Sequence, residues 1–326
     1  MKIKYPISLV ACMISLLAVH AEDANKPKNK APSVKEPAYP ASVPKPTQSG
    51  VAYGKHERHV LDFWKAESDK PTPLVFVIHG GAWLNGSKER LNRFVDPNAL
   101  LKAGISVVAI NYRLIKHAKG VEPPVKAPLH DAARALQFVR SKADEWNIDK
   151  ARIGAAGGSA GACSSLWLAY HDDLADPKSE DPIARESTRL WCVAATNPQT
   201  SLDPKQMKEW TPNSTYGGHA FGINGFDKFL AERESILPWI AEYSPYSLVS
   251  ADDPPVSLFY KSPPAIGENQ KDPTHSANFG VKLQERCEEL SVTCELVYHG
   301  APNVRYRTPA GYLIAELKAP SGESLK

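Results

Sequence analysis

Arg152-Ile153-Gly154-Ala155-Ala156-Gly157-Gly158-Ser159-Ala160-Gly161-Ala162-Cys163 is the stretch whose reading decides the fold. Its first four residues have the apolar character of a buried strand, and the residues from Ala160 to Tyr170 suit a helix. Between them, Gly157-Gly158-Ser159-Ala160-Gly161 fits the pattern G-x-S-x-G. Glycines flank the serine because a strand-to-helix turn this tight leaves no room for side chains on either side. The turn thrusts the serine hydroxyl out at the helix N-terminus, so Ser159 is a candidate nucleophile. The competing reading is a glycine-rich corner with an incidental serine.

On both sides of this corner, strands alternate with helices. Strands are expected at Val60–Trp64, 73–78, 105–110, 190–195, 256–260 and 294–298. The runs Leu74-Val75-Phe76-Val77-Ile78 and Ile105-Ser106-Val107-Val108-Ala109-Ile110 are apolar on both faces, as central parallel strands are. Leu129, Ala132, Ala133, Leu136, Val139, Ala143 and Trp146 recur at helical spacing, and further helices fit 276–290 and 309–317. Such alternation implies an α/β fold with a mostly parallel, doubly wound sheet, whose site lies beyond the carboxyl ends of the strands. His79-Gly80-Gly81-Ala82-Trp83 follows one of those strands directly. Acyl transfer builds negative charge on a carbonyl oxygen, which backbone N–H groups must meet. Gly81 or Ala82, with Gly80 shaping the loop and Ala160 after the nucleophile, are the candidate oxyanion donors.

With these residues in view, the chain resembles the esterase/lipase side of the alpha/beta-hydrolase superfamily, and in particular secreted bacterial BD-FAE-like (feruloyl-esterase-type) hydrolases. The resemblance is carried by Leu61-Asp62-Phe63-Trp64, His79 to Trp83, Asn111-Tyr112-Arg113-Leu114, His130-Asp131-Ala132-Ala133, Ile148-Asp149-Lys150-Ala151-Arg152-Ile153-Gly154, the serine corner, and Asp252-Asp253-Pro254-Pro255. It implies an alpha/beta-hydrolase fold and a serine, histidine and acid acting together; no Cys or His spacing suggests a metal site, and no cofactor is expected. His130 and Asp131 match a position that is structural in the family.

The match departs where the triad should be completed. Relatives carry a histidine in the loop after the last strand, but His299-Gly300-Ala301-Pro302-Asn303 puts Asn303 near that place. Asp272 is a candidate acid beyond the 256–260 strand, whereas Asp252 and Asp253 precede that strand and belong to the opposite edge. His275, three residues after Asp272, is the favoured base; Asp272-Pro273-Thr274-His275 ahead of Asn278-Phe279-Gly280 resembles a secreted subgroup with D-x-x-H in this place. His299 and the absence of any working base stay open. His171 ends the serine helix, and His219 lies in an insertion over 201–247. That insertion is read as a small cap whose aromatic residues mostly pack its own core.

The ends of the chain read differently. Lys2 and Lys4 precede an apolar run over 7–19, too short to span a bilayer, and Val19-His20-Ala21 suits signal-peptide cleavage after Ala21. A rival lipobox at Leu9-Val10-Ala11-Cys12 would make Cys12 a lipid anchor. Residues 22–50 hold six prolines and many lysines, so a disordered linker without core is expected there, with the hydrolase domain over 51–320. Removing Lys2 and Lys4 leaves 37 basic residues against 36 acidic, a balance that offers nucleic acid no electrostatic partner. In an exported chain Cys287 and Cys294 are candidates for a bridge, while Cys163 and Cys192 read as buried free thiols.

Together these features point to a secreted or periplasmic serine hydrolase of carboxylic esters, acting on small or polysaccharide-linked substrates. The alternative is a catalytically silent binding protein on the same scaffold, motivated by the missing histidine. A prolyl-oligopeptidase-type peptidase fits poorly, because the chain has no room for a propeller partner domain.

Overall fold

The structure, a computed structural model, describes residues 38–320. The leader, Cys12 and the first part of the expected linker lie outside the described residues. Eight strands form one sheet in the order β1-β2-β4-β3-β5-β6-β7-β8. These are β1 (Gln48–Ala52), β2 (Val60–Trp64), β3 (Thr72–Ile78), β4 (Ser106–Ile110), β5 (Ile148–Gly158), β6 (Val193–Thr196), β7 (Val256–Phe259) and β8 (Cys294–Val297). β1 and β2 are antiparallel additions at one edge, and β4, β3, β5, β6, β7 and β8 run parallel. This is the mostly parallel, doubly wound sheet expected from the alternation of strands and helices.

The period-2 geometry of β3 explains why it reads as an unbroken apolar run. Leu74, Phe76 and Ile78 belong to the core on one face of the sheet, and Val75 and Val77 to the core on the other. The first face is covered by helices Lys126–Ser141, Ala160–Tyr170 and Asn278–Glu289, the second by helices Pro97–Lys102 and Pro309–Lys318. Among the described residues no helix is long and apolar enough to cross a membrane.

The linker expectation needs correction over its second half. Residues 38–50 dock along β2. Val43 is buried, and Tyr39 packs edge-on against Trp64 with ring centres 5.2 Å apart. The Trp64 indole donates to the Pro44 carbonyl at 2.7 Å, and β1 pairs with β2 through Gln48, Val51 and Ala52. The fully buried carboxylate of Asp62 organises the segment: it accepts from Tyr39 Oη, Ser49 Oγ, the Gly50 N–H and Lys88 Nζ. Composition misjudged this segment because its partners sit on β2. A proline-rich chain already extended loses little freedom on lying along an edge strand, and one buried carboxylate demands several donors.

The insertion over 201–247 carries the short helices Pro204–Trp210, Phe226–Ala231, Leu237–Tyr243 and Pro245–Leu248. Trp210, Phe221, Phe229 and Tyr243 are buried in the core beneath it. Cys163, Cys192, Cys287 and Cys294 are free thiols, so no bridge joins Cys287 to Cys294. His130 is half-buried against Trp167. Asp131 holds Arg113 by a two-pronged pair and lies 2.9 Å from His59 Nε2, a structural clamp.

Candidate active site

The site begins at the corner between β5 and helix Ala160–Tyr170. Ser159 adopts φ 53 and ψ −123, a left-sided conformation that costs a residue with a side chain about 1–3 kcal/mol. The surrounding glycines hold it there. A Cβ on Gly161 would lie 2.2 Å from the Ile78 carbonyl oxygen, and one on Gly158 would lie 2.2 Å from the Phe94 ring. The turn is wedged between β3 and the 88–96 segment, so the strain at Ser159 is held by packing on both sides. The Ser159 N–H donates to the Thr196 carbonyl at 2.9 Å, tying the corner to the end of β6.

The loop after β3 approaches the serine closely. A Cβ on Gly80 would come within 2.3 Å of the Gly158 carbonyl oxygen and 3.4 Å of Ser159 Cβ, so only glycine fits. Gly81, Ala82 and Trp83 all have positive φ, at 119°, 55° and 55°. Among the described residues, the N–H groups of Gly81 and Ala82 have no backbone acceptor, and Ala160 opens its helix where such groups are unpaired. Several side chains hold this loop. His79 is buried, stacks on Tyr112 with ring centres 4.2 Å apart, and has Nδ1 2.8 Å from the Gly80 carbonyl. Arg58 faces its other nitrogen at 3.3 Å and donates to the carbonyls of Gly86 and Tyr112. Burial drives the His79 pKa down to about 3, so the ring stays neutral and Nδ1–H donates to Gly80. His219, from the cap, has Nε2 3.1 Å from the Ala82 carbonyl, and burial lowers its pKa too. Sequence reading left His79, Arg58 and His219 without a role, because their contacts come from distant segments.

His275 lies across from the serine, with Nε2 2.9 Å from Ser159 Oγ and Nδ1 2.8 Å from Asp272 Oδ2. Both residues come from one tight turn, Pro273–His275 with Asp272 at its N-cap. Two anchors set this turn. Gln199, fully buried, donates Nε2 to the Thr274 carbonyl at 2.7 Å. Asn278, also fully buried, accepts from the Ala265 N–H and donates to the carbonyls of Trp210 and Ala265. Phe279 packs edge-on against Trp210, and a Cβ on Gly280 would lie 2.5 Å from Tyr260 and from Leu296. The Asn278-Phe279-Gly280 sequence therefore locks the loop that carries His275 to β7, β8 and the cap. The carboxylate is unusually open: the Asp272 side chain is 64% exposed and that of His275 33%.

The other candidates fall elsewhere. His299 is exposed in the loop after β8; among the described residues it is His275 and not His299 whose imidazole is hydrogen-bonded to Ser159. His171 pairs with Glu242 at the far end of the serine helix. Asp252 and Asp253 face Arg189 ahead of β7, at the opposite edge from the serine.

Comparison with known proteins follows the same lines. The BD-FAE family model matches residues 61–266. The esterase LipC of Mycobacterium tuberculosis is 30% identical over 115 residues, which cover 34% of this chain and 27% of that protein. An esterase of Gibberella moniliformis is 30% identical over 238 residues, covering 72% of this chain and 66% of the relative. The chain thus spans from about a quarter to about two thirds of these relatives' lengths. Among solved structures, an acetyl ester-xyloside bifunctional hydrolase from Caldicellulosiruptor lactoaceticus superposes with a TM-score of 0.55 at 26% identity, over 73% of this chain and 77% of that one.

Proposed function

The chain belongs to the BD-FAE family of alpha/beta-hydrolases, and on that premise we propose that it hydrolyses carboxylic esters through an acyl-enzyme on Ser159. The observation that carries this reading is the unbroken pair of short contacts, 2.9 Å from Ser159 Oγ to His275 Nε2 and 2.8 Å from His275 Nδ1 to Asp272. A carboxylate at Nδ1 keeps the proton there and leaves Nε2 free to accept. The Ser159 hydroxyl gives its proton to Nε2 as Oγ attacks the ester carbonyl. The tetrahedral oxyanion meets the N–H of Ala160 and of Gly81 or Ala82. Collapse releases the alcohol, which takes the proton back from His275, and water activated by the same histidine frees the acid. Neutral His79 favours this arrangement, since its Nδ1–H holds the Gly80 carbonyl and so the shape of the loop.

The substrates are small or carbohydrate-linked acyl esters, and the enzyme acts outside the cytoplasm after loss of residues 1–21. The alternative of a silent scaffold rested on the missing histidine after β8; His275 supplies an imidazole from the preceding loop. The test is fluorophosphonate labelling of the mature protein at neutral pH, with 4-nitrophenyl acetate turnover measured alongside. Ser159→Ala should keep the melting temperature within a few degrees and abolish both. Labelling that persists in Ser159→Ala, or a wild type that neither labels nor turns over, refutes the proposal.

A further inference from the structure

A cavity of about 820 Å³ opens at the carboxyl ends of β6, β7 and β8, next to the serine corner though not lined by Ser159 itself. That volume is in the range of small-ligand sites. Two of its walls touch the serine corner: Phe94, whose ring packs on Gly158, and Thr196, whose carbonyl accepts the Ser159 N–H. The floor is apolar, formed by Val95, Phe259, Val297 and Ile314, and the half-buried rings of Phe94 and Tyr298 lie along it. In the resemblance set out above, the loop after the last strand delivers the base. Here the base comes from the loop after β7, which leaves the loop after β8 free to wall this space.

The rim is net basic, with three cations and one acid. Arg93 ends the turn after the oxyanion loop, Lys261 follows β7, and Arg307 precedes helix Pro309–Lys318, so three separate segments each bring a cation to the same opening. Among the described residues none of the three makes an ion pair or a side-chain hydrogen bond. Unpaired lysines also occur singly elsewhere on the surface, as at Lys55, Lys65 and Lys70, but here three cations from separate segments share one opening. The acid on the cavity wall, Asp96, is engaged at the start of its helix by the N–H groups of Asn98 and Ala99. Basic overall composition does not explain the cluster, because 39 basic residues stand against 36 acidic ones in the whole chain. Like charges gathered around a concave, apolar-floored site raise the local concentration of anions. Guanidinium groups in particular suit the planar, two-pronged recognition of carboxylate and sulfate.

We propose that this cavity binds a saccharide ring bearing a carboxylate or sulfate, so that the preferred esters are those of acidic sugars. The inference rests on the ester-hydrolase reading only for its catalytic consequence; binding stands by itself. The experiment titrates tri-galacturonate, a sulfated disaccharide and neutral xylotriose into the mature wild type and into the triple variant Arg93→Gln, Lys261→Gln, Arg307→Gln. All three positions are exposed, so the variant should fold. The expected result is that an acidic saccharide binds the wild type at least tenfold more tightly than the variant, while xylotriose binds both alike. The stronger acidic ligand identifies the anion, and its affinity should fall as salt is raised. Hydrolysis of 4-nitrophenyl acetate should stay within twofold between wild type and variant. Equal binding of acidic and neutral saccharides by the wild type, or undiminished acidic binding by the variant, overturns the proposal. If acidic saccharides bind as expected but the wild type does not hydrolyse 4-nitrophenyl acetate, the hydrolase reading falls and the cavity assignment stands.

Discussion

Replacing Asp272 by asparagine tests how much an acid can contribute when it is open to water. In the folded protein Asp272 Oδ2 is 2.8 Å from His275 Nδ1, and its side chain is 64% exposed. One charge-assisted hydrogen bond contributes about 1.5–3 kcal/mol. At about 1.4 kcal/mol per tenfold, removing it should lower kcat/KM by roughly 10- to 150-fold. A buried triad acid is worth far more, about 10⁴-fold in kcat, because water cannot replace it and the wrong tautomer is trapped. Here solvent can reach the vacated Nδ1 side, and the backbone bond from the His275 N–H to the Asp272 carbonyl, 3.2 Å, keeps the turn closed without the carboxylate. The assay is steady-state hydrolysis of 4-nitrophenyl acetate near pH 8, with His275→Ala as the reference. A loss under threefold would show that Asp272 does not orient His275. A loss approaching 10⁴-fold would show that exposure does not weaken the acid, and the reasoning from solvent access would fail.

His275→Ala should lower kcat by about three or more orders of magnitude while His299→Ala stays near wild type, and the reverse order of effects would transfer the base to the loop after β8. A chain starting at Gln48 should melt about 5 °C or more below one starting at Ala38, since it leaves Asp62 and the Trp64 indole short of partners; equal melting temperatures would refute the docking of this segment. His79 alone should lower unfolding free energy by about 1.4 kcal/mol per pH unit between pH 6 and 4, opposed in part by Asp253 and Glu316, whose carboxyls burial holds above their usual range. The sign follows from His79, held to about 3 by burial: below the unfolded value near 6.5 the unfolded chain binds the proton and the folded one does not, so stability present above pH 6.5 is lost as pH falls. Burial lowers His130 and His219 in the same direction, and chemical denaturation that is flat across this range would contradict all three.

What could be read without coordinates is what short-range rules govern. The strand-turn-helix around Ser159 is dictated by steric demands within five residues, and the apolar runs at 74–78 and 105–110 mark strands covered on both faces. The glycine-rich loop after β3 that closes on Ser159 was legible for the same reason, as a glycine pair directly after such a strand. Periodicity is blind to which loops meet beyond the strand ends. His275 and His299 both follow late strands; the Asp272-Pro273-Thr274-His275 pattern favoured His275 but left His299 open. The fold brings residue 275 to residue 159, 116 positions away, because Gln199 and Asn278 fasten the turn after β7 from two other segments. The second half of the expected linker was misread for a related cause: its composition is that of a tether, but Asp62 on β2 collects donors from Tyr39, Ser49 and Gly50. The local chain determined the Ser159 corner and its turn, since those depend on neighbours along the backbone. Only the tertiary structure decided which imidazole meets Ser159, the docked segment and the cation-rimmed cavity, since each of those is made by groups that share a place and not a stretch of sequence.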